Sequence, residues 1–475
     1  MSNRYGCRKR AVAIERGFEY CKVCLDKQIK IDRLEDENKS LKAKLRYRDR
    51  KIKGEFFGSS TPSSQRRIKT NTDEEKANKQ GGAKPGHKGN CGRHVFNEAT
   101  ADEIIDLDVD INECPACGGE LEHKETDARC VVDSLLLEAQ KILYQCQVKQ
   151  CVHCRTEVSE RPVVLPKSKY GPGLISNSAM MHFLEGIPLK KIETMWGDQV
   201  IPGNLTKIFH KCADQWEPAV EQLKKDFQQA DVRHADETGW RTNGHSGYSW
   251  LFCSDNLSLF SFRDTRSSKV VEEVLGVDPL PGVLVVDRYA GYNKTPCKIQ
   301  YCYEHLKRNL DDLLEDNSTI DEVKRFVKTL RPLLVKAMKL RRHRISDKVY
   351  YEKAKAIKAK IQSVVNAPAD HLGVRSYQDI FIEHDARLFH WVESRAVPTE
   401  NNKAERELRP TVIARKVSFG SQSEKGAHTR SIMMTVLHTA VKRLKDKPVH
   451  HWFKESLEMM IKDPSINPYS LLPDP

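Results

Sequence analysis

Long apolar runs are missing from this sequence. No stretch approaches the ~18 consecutive apolar residues that a helix needs to cross a bilayer, so no membrane association is expected. The first residues, MSNRYGCRKRAVAIERG, lack the apolar centre of a secretory signal. A cytoplasmic protein is therefore expected. No internal repeat is evident. Negative charge is in short supply: 66 Asp and Glu stand against 79 Lys and Arg, a formal net charge of +13. That imbalance predicts a polyanionic partner, nucleic acid first. Large apolar side chains are nearly absent from residues 57–94, which are rich in Ser, Gly, Lys and Arg. Such a stretch cannot bury a core and reads as a flexible basic linker. It would track a DNA backbone in a salt-sensitive way.

At 475 residues the chain is too long for one ordinary core, and several domains are expected. Hydrophobic residues at 39% and charged residues at 31% fit a soluble protein with polar, helix-rich parts. Ile31, Leu34, Asn38, Leu41 and Leu45 alternate spacings of 3 and 4, a heptad pattern. Residues 25–48 thus read as a short coiled coil that pairs subunits, with Asn38 at an a position where it sets register. The alternative is a solitary amphipathic helix. Helical patterns follow at 165–230, in keeping with a small bundle or a helix-turn-helix. Then the periodicity changes. VRHADETGW, YSWLFCS, LSLFSFRD, GVLVVDRY and KIQYCYEHL are short runs rich in β-branched and aromatic residues, with helical SSKVVEEVLG between the third and fourth. Their order predicts a mixed α/β sheet. Helix returns from about 303 to 397 and again after VPTENN.

Cysteine is not scarce, at 14 residues. In a long chain without a signal, Cys-x-x-Cys pairs mean metal more often than disulfides. Cys114 and Cys117 form one knuckle and Cys151 and Cys154 another, separated by 33 residues. Two knuckles supply four thiolates and close a tetrahedral zinc ribbon. Such a Zn²⁺ site is structural, because no position stays open for water. Cys130 and Cys146 are alternative ligands. Cys21 and Cys24, with only Cys7 nearby, remain unassigned.

Two carboxylates stand at strand tips. Asp236 ends VRHAD and Asp287 ends GVLVVD. In open α/β sheets function gathers where strands end. If the two strands are neighbours, the two anions face one another and require a proton or a cation between them. Mg²⁺ suits such oxygen donors, and a pair of such ions about 4 Å apart clamps both oxygens of a phosphodiester exchange. A third carboxylate is needed. Glu405 in TENNKAERELRP is a candidate, against two competitors, Glu400 and Glu407, and against a capping box formed by Asn402 and Glu405. Glu237 rivals Asp236, but the period of two along a strand turns it to the opposite face.

The stretches HADETGW, VVDRYAGYN, CYEHLKRNL and ENNKAERELRPTVIARKVSFGSQSEKGA resemble the transposases of the insertion sequence 66 family. The zipper, the FGSSTPSS and GGAKPGHKG linker and the CPACGG ribbon occur in the order found there, so the resemblance covers nearly the whole chain. It implies an RNase H-like catalytic core whose Asp-Asp-Glu set maps to Asp236, Asp287 and Glu405, with Mg²⁺ or Mn²⁺ as cofactor. His305 in CYEHLKRN, Arg406 and Arg409 would support it, the arginines by phosphate contacts. The implied order is a zipper at 1–55, the linker at 56–100, a DNA-binding zinc ribbon at 101–162 and a helical domain at 163–230. The core would begin at 231–315, be interrupted by a helical insertion at 316–397, and resume with the Glu helix at 398–445, before a C-terminal segment at 446–475. The resemblance implies a bacterial, nucleoid-associated homo-oligomer acting on terminal inverted repeats and target DNA, with or without accessory proteins of the same element. A catalytically decayed DNA-binding regulator and an RNase H-like nuclease without strand transfer are the alternatives.

Overall fold

The computed structural model describes residues 162–475 apart from 198–199 and 445–446, and short stretches at 30–31, 34–35, 139–145, 148–150 and 157–159. Most of the expected zipper, the linker and the cysteines at 7, 21, 24, 114, 117, 130, 146, 151 and 154 lie outside the described residues. Within the zipper segment, residues 30–31 and 34–35 are helical, and Ile31 and Leu34 are exposed. Strands β1 (Val148–Gln150) and β2 (Glu157–Ser159) pair antiparallel on either side, in sequence, of the Cys151/Cys154 knuckle.

The main sheet and the helices packed on it belong to one of two compact units of the chain, the one that holds Tyr144–Thr194 and Val200–Pro475. Three helices precede the sheet: α1 (Pro172–Ala179), α2 (Leu189–Trp196) and α3 (Pro202–Gln228). Pro172 and Pro202 open α1 and α3, where a missing N–H costs nothing and the fixed φ suits the first turn. A π-helical turn, Met180–Leu184, extends α1.

The sheet has five strands: β3 (Val232–Thr242), β4 (His245–Cys253), β5 (Ser258–Arg263), β6 (Val283–Val286) and β7 (Lys298–Tyr301). Their spatial order is β5-β4-β3-β6-β7. The β3–β4 and β4–β5 pairs are antiparallel, whereas β3–β6 and β6–β7 are parallel. The first hairpin turns on Asn243 and Gly244, both at positive φ (51° and 78°), the backbone that a two-residue turn between right-twisted strands requires. Between β5 and β6 runs α4 (Ser268–Leu275), capped by Ser267, whose side chain accepts from Lys269 N–H. All four residues of β6 are buried, as expected of a parallel strand covered on both faces.

After β7 come α5 (Tyr303–Asp316), α6 (Asp321–Leu340), α7 (Asp347–Val365), α8 (Leu372–Glu383) and the short α9 (His390–Glu393). Tyr303 and Gln300 anchor this helical run by donating to Leu388 O at 2.7 and 3.1 Å. The chain then returns to the sheet as α10 (Asn402–Ser418), α11 (Glu424–Arg443) and α12 (Val449–Lys462). Helix α11 covers the β5 edge. Thr439 and Thr435, one turn apart, accept from the outward backbone N–H groups of Ser258 and Phe260 at 3.1 and 2.9 Å. That pairing removes an open edge that would otherwise template aggregation.

Candidate active site

Strand β3 is central, and its two faces do different work. Its parallel ladder with β6 pairs Val232 with Val283, Arg233 with Leu284 and His234 with Val285. Asp236 and Asp287 each stand two residues beyond the last of these pairs, and continuing that register sets them level. Asp287 directly follows β6, but Asp236 lies midway along β3 and not at a strand tip as expected, because β3 continues into its hairpin with β4. Adjacent strands lie about 4.8 Å apart. Both side chains are buried, at 6% and 3% exposure. Each is held by a local bond: Asp236 Oδ1 accepts from Glu237 N–H and Asp287 Oδ1 from Tyr289 N–H, both at 2.9 Å.

Glu405 comes from the first turn of α10. It does not belong to a capping box. The helix N-cap is Asn401, whose side chain makes no cap bond. Instead Asn401 Nδ2 donates to Ala235 O at 2.7 Å, and its Oδ1 meets His234 Nδ1 at 2.8 Å. Its own N–H reaches Cys302 Sγ at 3.2 Å, and Tyr303 N–H donates to Thr399 O at 2.8 Å. The loop leading into α10 is therefore tied to β3 and to the start of α5. From α5, Arg308 brings a guanidinium nitrogen to 3.7 Å from Glu405 Oε2.

The competing carboxylates are engaged elsewhere. Glu400 pairs with Arg342 at 2.8 Å, and Glu407 pairs with Lys442 at 2.8 Å and accepts from Ser258 at 2.7 Å. Glu237 has its own partners, Arg266 Nε at 2.7 Å and Tyr292 OH at 2.5 Å. Arg266 in turn lies over the Tyr289 ring at 3.8 Å. So residues 236 and 237 face different neighbours, as the strand period requires.

Electrostatics ties the group together. Burial, and then the charges of Glu237, Asp287 and Glu405, hold the Asp236 carboxyl well above the usual carboxylate range. Burial and the Asp287 charge push Glu237 up to about 7, against the opposing pull of Arg266. A site that penalises its own anions in this way favours a proton or a cation. The donor chemistry of Asp236, Asp287 and Glu405, hard oxygens only, fits Mg²⁺ or Mn²⁺. Among the described residues no three such side chains are already gathered as a finished metal cage.

The remaining expected residues divide. His305 is buried near the start of α5, while Arg406 and Arg409 are exposed on α10. Sequence reasoning missed His234, Arg266, Tyr292 and Arg308. Only His234 left a signal, two residues before Asp236 and hence on its face.

Residues 167–429 match the family model described as Transposase IS66 family, a span that includes Asp236, Asp287 and Glu405. The chain belongs to the IS66 transposase family. No curated protein matches it. For an IS66-family transposase the five-stranded mixed sheet fits an RNase H-like core. Membership makes the chain a DNA-processing enzyme by family. Among the described residues no helix is long and apolar enough to cross a membrane.

Proposed function

We propose that this transposase cleaves DNA at the ends of its own element and joins the freed ends to target DNA, using Asp236, Asp287 and Glu405 as its catalytic carboxylates. The observation that carries this reading is the level placement of Asp236 and Asp287 beyond one parallel ladder, with the charge of Glu405 near enough to act on Asp236.

In the first step water attacks the phosphorus and the P–O3′ bond breaks, leaving a 3′-OH and a 5′-phosphate. In the second that 3′-OH attacks a target phosphorus and displaces the target's own 3′ oxygen, so one phosphodiester replaces another. Both are in-line exchanges, and one site serves both. When bound by the three carboxylates, Mg²⁺ or Mn²⁺ supplies charge neutralisation and Lewis-acid activation at the phosphate oxygens. The chain's own residues do the positioning. Asp236 within β3 and Asp287 directly after β6 are held by the sheet, where ~1 Å of misplacement already costs ~10²-fold in rate. Asn401 fixes the start of the Glu405 helix against β3. Glu405 turns from Arg308 toward Asp236 to complete the donor set. Arg406 and Arg409 reach DNA phosphates, and His305 packs beneath the site as support.

The N-terminal parts take matching roles. The zipper at 25–48 pairs subunits, the basic linker tracks DNA, and Cys114, Cys117, Cys151 and Cys154 hold a structural Zn²⁺ in a ribbon that binds the terminal inverted repeats. The setting is a bacterial cytoplasm, at the nucleoid, with or without accessory proteins of the element.

The test is a strand-transfer assay with the full chain and duplexes carrying the inverted repeats that flank its gene, both intact and pre-cleaved. Joined products support the proposal. Cleavage without joining makes the protein a nuclease, and binding alone makes it a regulator.

A further inference from the structure

A cleft of 370 Å³ opens where the far end of the β3–β4 hairpin meets the C-terminal end of α10. Its lining includes Trp240, Arg241, Tyr248, Arg415 and Phe419, and no carboxylate. The volume is in the range of small-ligand sites, roughly 300–1,000 Å³. We propose that this cleft receives a single unstacked base of the DNA substrate, with Phe419 as the stacking surface and Arg241 and Arg415 meeting the adjoining phosphates. The proposal rests on the DNA reading above and deepens it.

Phe419 is the first argument. It is 74% exposed, so a large ring lies in water with little to cover it. It also holds a left-handed backbone, φ 62°, which is rare for a bulky residue. Strained conformations of this kind collect at functional sites and persist only when the surroundings enforce them. Here they do. Gly420 follows at φ 139°, and a Cβ at that position would stand 2.1 Å from Arg241 O. Ser421 N–H donates to Arg241 O at 2.8 Å, Asn243 N–H donates to Ser421 O at 2.9 Å, and Trp240 Nε1 donates to Ser421 Oγ at 3.1 Å. The segment after α10 is stitched onto the hairpin, and the ring is presented rather than loose.

The second argument is charge. Arg415 is anchored by Nη1, which donates to Thr238 Oγ1 at 3.0 Å and to Gly239 O at 2.7 Å. Arg241 is exposed at the rim. An aromatic ledge beside guanidiniums is the chemistry by which proteins hold single-stranded bases, and it tolerates any base because every base has a π face.

The third is position. Trp240 lies four residues beyond Asp236 on the same strand face, roughly 13 Å away. Arg415 lies ten residues beyond Glu405 on one helix, roughly 15 Å away. At about 3.4 Å per nucleotide along one strand, the cleft sits about four nucleotides from the carboxylates. A stacked base cannot enter a cleft beside the duplex, so the base must swing out of the helix.

The test uses the full chain and two short duplexes, one perfect and one with a single bulged 5-iodouridine. Anisotropy titration gives the affinity ratio, and photocrosslinking locates the bulged base. The bulged duplex is expected to bind about tenfold more tightly, the scale of one base–aromatic stack. Its base should crosslink to Phe419 or Tyr248. The ratio should fall to about one in Phe419→Gly, which keeps the left-handed turn, and persist in Phe419→Trp. Equal affinities for the wild type, a ratio unchanged by Phe419→Gly, or crosslinks elsewhere would overturn the cleft assignment while leaving the transposase reading intact. If the wild type binds neither duplex, the DNA reading falls, and this one with it.

Discussion

Asn401 joins the two elements that carry the candidate site. Its Nδ2 donates to Ala235 O, which fixes the amide so that Oδ1 is the acceptor facing His234 Nδ1 at 2.8 Å. Burial, foremost among its surroundings, pushes His234 down to about 4, so the imidazole is neutral at pH 7 with its proton on Nδ1. Asp236 is two residues further along β3, and Glu405 is four residues further along the chain that enters α10.

This latch predicts the behaviour of Asn401→Ala. Both bonds are lost in a buried place, a destabilisation of roughly 2–4 kcal/mol. Cleavage should fall about 10–100-fold, mostly in kcat, because the Glu405 helix loses its registration on β3 while substrate contacts remain. Chemical denaturation and single-turnover cleavage check the two halves. A variant destabilised to that extent but with full kcat would show the bonds to be structural only.

The carboxylates give a sharper contrast. Asp236→Asn, Asp287→Asn and Glu405→Gln should each lower cleavage and joining by ~10⁴-fold, the scale on which loss of one principal catalytic group acts. Folding and end binding should persist, since each change removes charge and little volume. Glu237→Gln should retain substantial activity, because its partners are Arg266 and Tyr292. A dead Glu237→Gln beside an active Asp236→Asn would move the site to the other face of β3.

Acid sensitivity follows from two buried histidines away from these carboxylates. Burial, with the Arg430 charge adding to it, pushes His182 down to about 3. Burial, with Lys442 adding, pushes His438 down to about 4. In the unfolded chain both titrate near 6.5. At these two residues unfolding therefore takes up protons below that pH, so their contribution to stability is full above 6.5 and is lost as pH falls toward 4. With two protons involved their share of the slope approaches about 3 kcal/mol per pH unit, and the raised carboxyls of Asp236 and Glu237, which gain stability as pH falls, oppose it. Urea midpoints measured from pH 7.5 down to about 4.5 in the wild type and in His438→Gln isolate this share: relative to the variant, the wild type should lose stability as pH drops, and parallel profiles would reject it.

The ribbon is tested by metal content. The purified chain should carry about one equivalent of zinc, lost in the Cys114→Ser/Cys151→Ser double variant. Full retention of zinc in that variant would reject these ligands.

Much of the fold was legible because short-range chemistry wrote it. The β-branched and aromatic residues of VRHADETGW and YSWLFCS, the apolar run of β6 and the turn residues between the runs are local signals, and the strands and the mixed sheet followed from them. Asp287, directly after β6, was visible for the same reason, whereas Asp236, expected at a strand tip, lies midway along β3, because the strand runs on through Thr242 in its hairpin with β4. Other features depend on groups far apart in sequence. Nothing local tells that Asn401 leaves its own helix uncapped to bond His234, or that Glu407 and Glu400 are taken by Lys442 and Arg342. Nor does local pattern reveal Arg308 beside Glu405, or Phe419 held out beside Arg241. The sequence by itself determined the strands and helices of the core and their order, because periodicity and turn chemistry act over a few residues, and its motifs carried the resemblance to the family. Only the tertiary structure decided which of several plausible carboxylates share one electrostatic site, since charge and hydrogen bonding act across space between partners from tens to more than a hundred residues apart.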